Sequence, residues 1–178
     1  MRSTRRDGSW STKATSARVL GIDPGTRIAG FAVIDFSARG DARIADAGVI
    51  RLQATAPLSV RLRQLHDDLV ELIDTHSPTH MALEGVFAHV EHARTAIQMA
   101  HGRGVVLLVA EQRGLSVAEL PPAEMKKSLT GNGRATKAQV QRAVMAQCGL
   151  AKPPEPPDVA DAIGIALCGG RRLWSATP

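Results

Sequence analysis

RVLGIDPGTRIAGFAVID, residues Arg18 to Asp35, is the stretch on which the reading of the fold turns. An apolar run from Arg18 to Ile22 meets Asp23-Pro24-Gly25, and a second run from Ile28 to Asp35 follows at once. Two such runs, separated by proline and glycine, read as strands joined by a turn. Ala42 to Leu52 supplies a third strand, so three strands follow one another with no helix between them and suggest an antiparallel meander.

Beyond Leu58 the period changes. Leu62, Leu65, Leu69, Leu72 and Ile73 recur at three- and four-residue spacing behind Pro57, which predicts a helix ending at Ser77-Pro78. Met81-Ala82-Leu83 is a short buried strand that ends on Glu84. A helix is expected from about Thr95 to Gln112, although Val105 to Ala110 also fits a strand by periodicity alone. Ser116 to Leu120 is the last strand, and a short helix from Ala123 to Leu129 follows. Thr136 and Gln139 form a capping-box pattern for a helix from Thr136 to Cys148, which Gly149 can close. After the proline-rich connector Lys152 to Pro157, a final helix starts near Asp158 and runs to about Cys168. This order predicts the α/β class, a five-stranded mixed sheet with helices on its faces.

Residues 1 to 17 are rich in Ser, Thr, Arg and Gly with almost nothing to bury, and read as a flexible extension. At 178 residues the rest makes one domain, taken as 18 to 172, with 173 to 178 as a tail. The 22 Lys and Arg against 17 Asp and Glu leave a net charge of +5, which favours a polyanionic partner. No apolar run approaches the roughly 18 residues of a spanning helix, and the N-terminal charges have no apolar core behind them. A soluble, cytoplasmic protein without a membrane partner is expected. Cys148 and Cys168 have neither metal-site spacing nor a nearby His, and read as reduced core residues. With no Tyr and only Trp10, Phe31, Phe36, Phe87 and Trp174 as aromatics, rows of stacked bases are not expected, and any stacking rests on one or two rings.

Four acids stand at the ends of these elements. Asp23 ends an apolar strand, as Glu84 ends another, and Asp158 and Asp161 lie three apart on one face of the last helix. Each has a plain structural explanation: a turn-initiating Asp, a strand end meeting solvent, an N-cap, a first-turn acid. Brought together, however, four carboxylates repel one another unless a cation sits among them. Magnesium and manganese prefer such oxygen ligands, and a pair of ions can serve both oxygens of a phosphodiester displacement. Other chemistries fail on spacing. Gly25 to Gly30 lacks the Lys-Ser/Thr of a phosphate loop, and His89, Glu91 and His92 do not form a zinc-protease pattern.

The segments Gly21-Ile22-Asp23-Pro24-Gly25-Thr26, Leu83-Glu84-Gly85-Val86-Phe87 and Asp158-Val159-Ala160-Asp161-Ala162 resemble the RuvC family of Holliday-junction resolvases in order and spacing, with Gly102-Arg103-Gly104-Val105 between the last two. The resemblance spans roughly Val19 to Cys168. It implies an RNase H-like fold, a homodimer, a four-way DNA junction as substrate, and two Mg2+ or Mn2+ ions per active site on Asp23, Glu84, Asp158 and Asp161. It also implies that Phe87 stacks on a base at the junction crossover and that Lys126 and Lys137, with Arg134 in the loop between them, contact phosphates. A branch-migration complex of the RuvA and RuvB type is the further implied partner, in a bacterial cytoplasm. Two departures stand out: one extra residue between Phe87 and Thr95, with His92 where the family often has Asn, and Gly169 where it often has His. Two other readings stay open from the residues alone. Gly21 to Thr26 is also similar to the phosphate-binding hairpin of actin-like phosphotransferases, and a basic junction-binding protein need not cleave.

Overall fold

The computed structural model describes residues 16–85 and 93–175. Five strands form one sheet: β1 (Ala17–Asp23), β2 (Ile28–Phe36), β3 (Ala42–Arg51), β4 (His80–Glu84) and β5 (Ser116–Leu120), in the order β3-β2-β1-β4-β5. β1, β2 and β3 pair antiparallel, the expected meander, whereas β1–β4 and β4–β5 are parallel. The sheet is therefore mixed, as predicted.

Alternation along the strands divides the core in two. Leu20, Ile22 and Val33 face one side, where α1 (Leu58–His76) contributes Leu65, Leu69 and Ile73 and α2 (Ala93–Gln112) contributes Val106, Val109 and Ala110. Val19, Ala32 and Ile34 face the other side. There α3 (Pro122–Thr130), α4 (Lys137–Cys148) and α5 (Pro157–Ser175) bring Met125, Val144, Ile163 and Leu167. Val105 to Ala110, which also fitted a strand, is helical because it belongs to a 20-residue helix packed along α1.

The caps follow the sequence signals. Thr136 accepts from the Gln139 backbone at 3.3 Å while Gln139 Oε1 accepts from the Thr136 N–H at 2.8 Å, and Gly149 closes α4 in the left-handed region. Cys148 and Cys168 are unpaired, and burial raises both thiols.

The last helix departs from expectation. It does not stop near Cys168 but runs to Ser175, so residues 173–175, read as part of a tail, continue α5, and Leu173 is buried. The helix continues through Gly169-Gly170, and Gly170 lets it lie against Phe36: a Cβ there would stand 2.0 Å from Phe36 Cζ.

Candidate active site

β1 and β4 run parallel with Ile22 opposite Leu83, so the next residue of each, Asp23 and Glu84, leaves the sheet at the same edge. By alternation Asp23 shares the face of Val19 and Gly21, and Glu84 that of Ala82. That is the face on which α5 lies, with Asp158 in its first turn and Asp161 one turn later.

Two glycines permit the approach. A Cβ on Gly21 would sit 2.5 Å from the Ala162 carbonyl oxygen, and one on Gly30, which pairs with Asp23, would sit 2.2 Å from that of Asp158. Real Cβ atoms do not tolerate such distances, so the backbone of α5 lies directly on that of the sheet. Glycine in a strand interior marks a close approach of this kind; the signal was readable in the sequence and was missed.

The electrostatics follow from this placement. Burial, then Glu84, Asp161 and Asp158, push the Asp23 carboxyl up to about 7, with Lys137 opposing. Burial and then Asp161 raise Glu84, against Lys126 and Lys137. Lys137 Nζ stands 3.2 Å from Asp161 Oδ2, which holds the ammonium charged. Acids as far apart in sequence as Asp23 and Asp161 thus act on one another, and both predicted lysines act on them. Arg134 is exposed on the loop between α3 and α4, where its backbone N–H donates to Asn132 Oδ1 at 2.9 Å. It is not among the cations opposing these shifts. Phe87 lies outside the described residues.

The scaffold beneath the acids includes residues that were not singled out. Arg103 on α2, quoted only as part of a motif, has a largely buried guanidinium that donates to the Glu84 carbonyl at 2.9 Å and pairs with Glu119 on β5. It ties the ends of β4 and β5 to a helix on the opposite face. Arg61 on α1 donates to the Thr26 carbonyl at 2.5 Å, and Gly102 packs against Gly25, so the turn after Asp23 is held from behind.

The donor set is carboxylate oxygen only, the chemistry that suits a hard divalent cation. Its mutual repulsion, only partly offset by Lys137, is what such a cation neutralises. Among the described residues no group of three His, Cys, Asp or Glu side chains is gathered tightly enough to cage a metal ion. In donor chemistry the four residues fit hard divalent ions.

Comparison with known proteins agrees with this geometry. Residues 19–169 match the model of the family described as crossover junction endodeoxyribonuclease RuvC. A protein of that description from Rhodopirellula baltica is 45% identical over 168 residues, covering 93% of this chain and 89% of its own. One from Leifsonia xyli is 44% identical over 151 residues, covering 85% and 72%. Among solved structures, T. thermophilus RuvC in complex with a Holliday junction substrate superimposes with a TM-score of 0.80 at 26% identity, over 90% of this chain and 97% of that one. The yeast mitochondrial Holliday junction resolvase Ydc2, 16% identical with a TM-score of 0.64 over 92% and 83%, shares the fold. The sheet and helices are accordingly those of the RNase H-like resolvases.

Proposed function

The chain belongs to the RuvC family of crossover junction endodeoxyribonucleases, and from that premise we propose that Asp23, Glu84, Asp158 and Asp161 hold two Mg2+ or Mn2+ ions with which it cuts a four-way DNA junction. The observation that carries the reading is the convergence of four acids on one sheet edge, with Asp23 raised to about 7 by burial and by the other three. The family match weighs against the actin-like and the non-cleaving alternatives.

Divalent cations bound by carboxylates acidify a water and neutralise charge on the attacked phosphate and the leaving oxygen. The protein's part is placement. Asp23 and Glu84 are fixed by paired strands, and Asp158 and Asp161 by a helix seated on Gly21 and Gly30. Lys126 and Lys137 bring positive charge to the same edge, where they hold DNA phosphate without reading sequence. No side chain needs to form a covalent bond to DNA, and 5′-phosphate and 3′-hydroxyl ends are expected. Phe87, three residues after Glu84, is proposed to stack at the crossover.

A homodimer matches the two-fold symmetry of a four-way junction and pairs the cuts. Support comes from α2, whose inner face is buried on α1 while Ile97 and Leu108, 59% and 52% exposed, leave apolar surface on its outer face. A branch-migration complex is the proposed further partner.

The test incubates a labelled four-way junction and a matched linear duplex with Mg2+ or Mn2+, using the parent and Asp23→Asn. The parent is expected to cut only the junction, in paired nicks, and the variant to leave it whole. An intact junction with the parent in both metals, or equal cutting by the variant, overturns the reading.

A further inference from the structure

A groove of about 480 Å3 opens on the β3 side of the carboxylates, between that edge strand and the connector from α4 to α5. Its floor includes Val49 from β3 and Val159 and Ile163 from α5. Arg51, Lys152 and Glu155 also line it.

The register fixes where this groove lies relative to the acids. Asp23 pairs with Gly30 and Gly30 with Val49, so the three form one row across the sheet. Arg51 is two residues beyond Val49, hence on the same face and further toward the edge from which the Asp23 turn leaves. Two strand spacings across and two residues along place its Cα about 12 Å from that of Asp23. Asp158 and Val159 are consecutive, so the groove and the carboxylate site share the first turn of α5.

Its chemistry suits a nucleotide. Arg51 and Lys152 are exposed, and neither makes an ion pair or a side-chain hydrogen bond among the described residues. With Glu155 as the only acid in the lining, the groove carries a net charge of +1 (two cations less one acid) over an apolar floor. Phosphate is drawn to the former, and a sugar and base bury apolar area on the latter. A protein segment laid along the edge strand would use the floor but has no need of the two cations.

Building on the resolvase reading, we propose that this groove binds a nucleotide flanking the scissile phosphate on the cut strand, with its phosphate on Arg51 and Lys152 and its sugar and base against Val49 and Val159. The cut strand then runs across the carboxylate edge toward β3, while Lys126 and Lys137 hold phosphate beside the acids.

The experiment compares the full chain carrying Asp23→Asn, which holds the junction uncut, with the same chain carrying Arg51→Gln and Lys152→Gln as well. Binding of a labelled four-way junction is followed by fluorescence anisotropy across a salt series. The added substitutions should reduce the slope of log affinity against log salt by about two, one phosphate for each protomer of the proposed dimer. A single uncharged methylphosphonate beside the scissile position should weaken binding to the protein that keeps Arg51 and Lys152 and leave the substituted protein unaffected. An unchanged slope, or equal sensitivity of both proteins to every methylphosphonate, overturns the proposal and leaves the resolvase reading standing. A parent chain that neither binds nor cuts the junction overturns both. Equal thermal midpoints of the two proteins exclude misfolding as the cause of a lost slope.

Discussion

Asp23 is a half-buried carboxylate facing three others, and its folded value near 7 lies above the ordinary 3.8. The folded chain therefore binds this proton more tightly than the unfolded chain, and the fold loses stability as pH rises from about 4 through 7. Above 7 the penalty is complete. Asp23→Asn removes it, so in a chelating buffer at pH 8 the variant should be more stable than the parent, by on the order of 2 kcal/mol. At pH 4 the difference should vanish. Chemical denaturation at both pH values checks this, and a variant less stable than the parent at pH 8 contradicts it. A residue whose removal stabilises the fold is held there for function, a conclusion that its place before Pro24-Gly25 does not give, since a turn Asp looks the same in sequence.

Helix α5 is where placement of the site depends on packing. Its Asp158 and Asp161 face Asp23 only because Gly21 and Gly30 let the helix backbone onto the sheet. Gly30→Ala puts a methyl into the Asp158 carbonyl, which must move away and carry the acid with it. Stability should fall by about 1–3 kcal/mol, as for other overpacked sites, and junction cleavage should fall out of proportion to the folded fraction. Urea denaturation alongside single-turnover cleavage separates the two effects; full activity at an unchanged midpoint contradicts the account. The elements themselves were legible, because their signals are local: the capping box at Thr136 and Gln139, the Leu62 to Ile73 period, the turn after Asp23. The run of α5 past Cys168 was not, because it rests on a contact between Gly170 and Phe36, which are far apart in sequence. Nor was the role of Arg103, whose partners lie 19 and 16 residues away in sequence (103 − 84 and 119 − 103) and on two different strands.

Taken whole, the chain presents its acids and basic groups on one sheet edge and two exposed apolar side chains, Ile97 and Leu108, on the outside of α2. That pair is apolar surface that a single copy leaves exposed. If it joins two copies, Leu108→Asp should turn a dimer into a monomer in sedimentation velocity and replace paired nicks in the junction by single ones. A parent that sediments as a monomer at the concentrations used for cleavage contradicts the symmetric arrangement. The four acids were nameable from sequence because their order and spacing resemble a family; that they meet in space follows from parallel pairing of β1 with β4 and from α5 crossing both. What remains most exposed to test is whether that meeting makes a metal site. Calorimetric titration of Mn2+ into the parent and into Asp23→Asn at pH 7.5 decides it. The parent should give a saturable isotherm that the variant weakens by about tenfold or more, whereas identical isotherms for the two proteins, or no binding heat from the parent, would contradict the assignment.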